Sequence, residues 1–60
     1  MTQGVTQGKI APPSQTDQLE YMADLLAELG EIARSQKLTT LAGLLDLAHA
    51  EARLRAKEAA

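Results

Sequence analysis

Residues 38–54, LTTLAGLLDLAHAEARL, constrain what this chain can fold into more than any other stretch. On a helical wheel at about 100° per residue, Leu41, Leu44, Leu45, Leu47, Ala48, Ala52 and Leu54 gather on one side. They form an apolar face close to half the circumference. Asp46, His49, Ala50 and Arg53 take the opposite side, and Ala42 and Gly43 border it. Two helices packed as an isolated pair need only a narrow seam. A face this wide asks for more than one neighbour, and a chain of 60 residues offers only one other helix. The expected solution is association.

The second helix is written upstream. Leu19, Met22, Leu26, Leu29 and Ala33 recur at alternating spacings of three and four, and Leu25 and Ile32 widen the stripe. Asp17, Glu20 and Asp24 crowd its first turns while Arg34 and Lys37 close it, an order that complements the helix dipole at both ends. Ser14 with Asp17, and Asp17 with Glu20, each have capping-box spacing, so the helix is expected to start between residues 14 and 17 and run over about 15–36. The pattern crosses Gly30 without losing phase. Gly30 is therefore read inside the helix, beside Ala23 and Ala27 on the wheel. That small-residue strip has two readings: a place where another helix approaches closely, or the ordinary tapered edge of a core face.

Residues 35–40 form the connection. With neither Gly nor Pro, it reads as a tight link, with Leu38 turned inward and Thr39 or Thr40 capping a second helix over about 40–56. A link this short makes the two helices antiparallel neighbours. The closing AKEAA reads as a fraying end. Residues 1–13, MTQGVTQGKIAPP, read as a disordered tail that ends in a helix-blocking diproline.

Composition supports helices and excludes much else. The chain has no Phe, no Trp and one Tyr, and Val5, Ile10 and Ile32 are its only Val or Ile residues, so strand formers are nearly absent. No Cys means no disulfide and no thiolate metal site, which suits a reducing cytoplasm. A net charge of −2 argues against nucleic acid or an anionic membrane as the partner. No apolar run reaches the roughly 18 residues of a membrane span, and no hydrophobic signal segment is expected at the start.

His49 is the only histidine, with Asp46 three positions before it. Asp-x-x-His has the spacing of one half of the carboxylate–histidine pairing in di-iron bundles, so Asp46 and His49 are the candidate metal ligands. Both point away from the apolar face, however, whereas such ligands point into it, and surface charge pairing is the plainer reading. An exposed His on a dimeric helical hairpin also resembles phosphotransfer modules of two-component signalling. LAHAEARLR lacks the proline, the ordered charges and the Lys-Gly that follow the His in those proteins. Arg53, Arg55 and Lys57 near the end have a sufficient role at the helix C-terminus, and Glu51 with Arg55 makes a favourable i,i+4 pair.

The residues LAELGEIARSQKLTTLAGLLDLAHAEA resemble a group of short bacterial proteins of unknown function. Their pattern is a Leu-rich acidic helix, a short polar link and T-L-A-x-L-L-x-x-A-x-x-E-A. The resemblance spans about residues 19–54 and implies a helical hairpin; it brings no activity with it.

The expectation is an all-α fold: an antiparallel two-helix hairpin that pairs with itself into a four-helix bundle. Its core and interface are expected at Leu19, Met22, Leu25, Leu26, Leu29, Ile32, Leu41, Leu44, Leu45, Leu47, Ala48 and Leu54. The expected role is a small cytoplasmic interaction or regulatory protein acting by helix–helix contacts. Its partner would be a second copy or a larger helical protein, with no cofactor. The alternative is a His-centred activity, phosphotransfer or metal binding, in the dimeric bundle.

Overall fold

A computed structural model of the protein describes residues 14–60; the tail expected over residues 1–13 lies outside them. The described chain is two helices, α1 at Gln15–Ser35 and α2 at Thr39–Ala59, packed against one another, with no strand among the described residues. The all-α hairpin is therefore the fold.

Each boundary has a local cause. Ser14 is the N-cap of α1: it holds an extended backbone and its hydroxyl accepts from the Asp17 N–H at 3.1 Å. This occupies one of the otherwise unpaired N–H groups of the first turn. At the far end the Leu38 N–H donates to the Ala33 carbonyl at 2.9 Å, and the Lys37 N–H to the Arg34 carbonyl at 3.0 Å. This paired closure is the Schellman arrangement, which needs a left-handed residue at its centre. Lys37 supplies it with φ at 62°, although glycine is the usual occupant. The Leu38 carbonyl then accepts from the Ala42 N–H at 2.9 Å and opens α2.

Two expectations about the connection are corrected here. Leu38 is the N-cap residue of α2, and no side chain caps that end, so neither Thr39 nor Thr40 has that role. The Schellman closure passes the chain directly from one helix to the next, leaving both threonines inside the first turn of α2. Leu38 is also not turned inward; it stands about half exposed. The link proper is only residues 36–38. At the C-terminal end α2 continues through Ala59, beyond the expected end near residue 56. Ala56 is buried against α1, and Arg55 bridges Glu51 at 2.7 Å and Glu58 at 3.5 Å across the last turns. The sequence-expected pair of Glu51 with Arg55 is thus present.

The packing seam is where the structure departs most from the wheel. The buried residues are Ala23, Gly30 and Ala33 in α1, and Ala42, Ala52 and Ala56 in α2. Half-buried Leu19, Leu26, Leu45 and His49 fill the gaps between them. In α1 the positions run 19, 23, 26, 30, 33 and in α2 they run 42, 45, 49, 52, 56, an unbroken three–four alternation in each. That is the periodicity of a two-helix seam. Ala42, read as a border residue, is therefore central, and His49 belongs to the seam instead of the polar side. Gly30 and Ala23 take the close-approach reading of the small-residue strip, while Ala27 stays exposed. A Cβ added at Gly30 would lie 3.3 Å from the Asp46 Oδ1 of the opposite helix.

Near the turn, the length of the link is a physical reason. A three-residue connection holds the two backbones close where they leave the turn, and the residues that fit between them are the smallest available. A wheel weighted by hydropathy finds the centre of a wide apolar arc. It is blind to size.

Candidate interaction face

Once the small residues define the seam, every other side chain has a side. On one flank, both Nη1 bonds of Arg34 reach Asp46, to Oδ1 and Oδ2 at 3.0 Å each, while Nη2 reaches Glu31 at 3.3 Å. This network joins the two helices and marks one broad side of the hairpin as polar. Glu20, Arg53 and Lys57 lie on the same side, around a shallow depression of about 470 Å³ at the open end. The hydrogen bond to Asp46, and next the charge of that carboxylate, raise the Arg34 guanidinium above its ordinary pKa. Glu51 does the same for Arg55. Both cations stay charged at any working pH. All four ion pairs lie at the surface, where a single pair is worth only about 0–1 kcal/mol. Only the pair of Arg34 with Asp46 crosses between the helices, and it bears on their register; the other three lie within one helix.

The opposite broad side is apolar. From α1 it presents Met22, Leu25, Leu29 and Ile32; from α2 it presents Leu41, Leu44 and Ala48, all of them exposed. Between the two rows near the turn runs a groove of about 270 Å³, lined by Leu29, Ile32, Ala33, Gln36, Leu38, Leu41 and Leu45. Towards the open end the character changes. Arg55 with Glu51 and Glu58 takes over the same side of α2, and Gln18 and Gln15 take over that of α1.

The residues expected as core therefore divide. Leu19, Leu26 and Leu45 sit half-buried in the seam. Met22, Leu25, Leu29, Ile32, Leu41, Leu44 and Ala48 are not core of the hairpin; they make its exposed apolar side. Leu47 and Leu54 are not core either. Leu47 lies on the outer edge of α2 at 69% exposure, and Leu54, 49% exposed, lines the shallow depression at the open end. Tyr21 holds the corresponding outer position on α1 and is 65% exposed. The small residues that do pack inside carried one signal in the sequence, the clustering of Ala23, Ala27 and Gly30, and α2 lacked an equally visible one.

No protein-family model, no curated protein and no solved structure matches the chain. The resemblance to short bacterial hairpin proteins has no match behind it, and no relative's activity bears on the residues above.

The histidine-centred alternative meets a specific geometry. Asp46 is engaged by Arg34 through both carboxylate oxygens, and no hydrogen bond joins it to His49, which is half-buried in the seam. Among the described residues, no three His, Cys, Asp or Glu side chains come together in a way that could hold a metal ion. The basic residues near the C-terminus do not form one patch. Arg53 and Lys57 belong to the polar side, and Arg55 to the other, tied to its two glutamates. Among the described residues, no helix is long and apolar enough to cross a membrane.

Proposed function

We propose that this protein is a small helical interaction module that binds a second copy of itself through its apolar side, closing two hairpins into a four-helix bundle. One observation carries the reading: the large apolar side chains Met22, Leu25, Leu29, Ile32, Leu41 and Leu44 stand exposed together on a single side. A monomer in water seldom leaves so contiguous an apolar patch uncovered. A hairpin whose seam is mostly alanine has little other apolar area to bury, because an alanine removes far less from water than a leucine. A twofold pairing lets one surface serve both partners. The action is then regulation or assembly by helix–helix contact, in the reducing cytoplasm that a cysteine-free chain suits.

Sedimentation equilibrium at micromolar concentration tests this. A chain of 6.4 kDa should sediment as 2 × 6.4 = 12.8 kDa. The double variant Leu29→Glu/Leu44→Glu should return it to the single-chain mass while leaving the seam untouched. A wild-type chain that sediments as a monomer and melts cooperatively would overturn the reading. It would leave a larger helical protein as the occupant of the face.

A further inference from the structure

We propose, resting on the self-association above, that the two copies pack with both turns at the same end of the bundle. In this arrangement α1 of each copy lies on α2 of the other, about a twofold axis parallel to the helices. The argument is the order of residues along the apolar side.

Moving away from the turn, the exposed row of α1 reads Ile32, Leu29, Leu25, Met22, Gln18, Gln15. The exposed row of α2 reads Leu41, Leu44, Ala48, Glu51, Arg55, Glu58. Members of the two rows at the same place in this order stand at nearly the same distance from the turn, since each helix rises about 1.5 Å per residue. With the turns together, Ile32 comes level with the partner's Leu41, Leu29 with the partner's Leu44, and Leu25 with the partner's Ala48. Farther out, Gln18 and Gln15 come level with the partner's Arg55 and the partner's Glu58. Apolar groups meet apolar groups for the first half of the bundle, and polar groups meet polar groups for the second. The one mixed level is Met22 with the partner's Glu51, at the boundary between the halves.

Turning one copy end for end destroys this match. At full overlap, Leu41 and Leu44 of each copy would lie on Glu51, Arg55 and Glu58 of the other. Those charges, paired only with one another along α2, would lose water to apolar neighbours, which is costly. A shorter overlap, confined to the turn halves, would avoid that cost only by giving up contact along the outer half of every helix. The same-end arrangement keeps the ion pairs of Arg55 at the wetter end and closes the groove near the turn with leucine. It also places both copies of Ser14 at the end opposite the turns.

Distance measurement between spin labels tests the arrangement on the full-length dimer. The chain contains no cysteine, so Lys37→Cys and, separately, Lys57→Cys each give one labelled site per copy. Lys37 marks the turn and already holds φ of 62° with a side chain, so cysteine adds no new backbone strain. Helices in contact lie about 8–10 Å apart and the two copies of α2 lie diagonally across the bundle, so same-end packing predicts label separations of roughly 25 Å at both sites. With the turns at opposite ends, the Lys57 separation lengthens to a helix length, roughly 30 Å or more, whatever the overlap. A long Lys57 distance in a protein that sediments as a dimer, with or without a long Lys37 distance, overturns the arrangement alone. A single-chain mass for the unlabelled protein overturns self-association, and the arrangement with it.

Discussion

The seam between the helices and the apolar side beside it are both hydrophobic, yet they are made of different materials. The seam is alanine and glycine, with leucine and one histidine at intervals. Ala23 is 1% exposed, and no large side chain is fully buried in it. The apolar side is leucine, isoleucine and methionine, and Leu44 there is 58% exposed. Small residues allow close approach and a defined register but remove little apolar area from water. Large ones would supply that area if they were covered. The difference separates two tasks that a single core performs in larger domains. The seam gives the hairpin its geometry, and the apolar side holds most of the burial still available. A hairpin built this way is expected to be weakly stable alone and to gain most of its stability on pairing.

The largest effect that tests this contrast is at Leu44. On the covered face of a dimer, Leu44→Ala should cost about 2–5 kcal/mol per site, read by denaturation at two protein concentrations. Leu47→Ala, on the outer edge, should stay within about 0.5 kcal/mol. Equal losses at the two sites would break the distinction between face and edge. A smaller effect addresses the seam. Ala52→Leu should overpack it and cost about 1–3 kcal/mol, whereas Ala50→Leu at an exposed position should change little. If Ala52→Leu is neutral in urea denaturation, the helices are not held close and the contrast fails. The smallest effect concerns the turn that sets the seam. Lys37→Gly removes the left-handed strain of a residue with a Cβ, at some cost in chain entropy. The net expectation is a gain of about 0.5 kcal/mol, seen as a raised denaturation midpoint. A loss would mean that the Lys37 side chain contributes something the backbone does not reveal.

Much of this fold was legible in the chain. The three–four spacing marks both helices, two capping-box spacings place the start of α1 between residues 14 and 17, and the unbroken phase across Gly30 keeps it helical. The pair of Glu51 with Arg55 followed from i,i+4 spacing alone. These are local features, written within a turn or two of one helix. What was not legible depends on two helices at once. Spacing alone pairs Asp46 with His49, three residues on, yet Asp46 accepts from Arg34, twelve residues away across the turn. Lys37 in a left-handed turn gave no glycine to read. The wheel puts Ala42 at the border and His49 on the polar side, because a wide apolar arc has many possible centres.

The sequence by itself therefore determined that the chain forms two amphipathic helices joined by a short link, because periodicity, capping and dipole order act within a helix. Only the tertiary structure decided which stripe of each helix meets the other. That choice follows from how close the turn brings the backbones, and at close range the size of a side chain outweighs its hydropathy. Alanine and glycine went in, and the leucines were left outside.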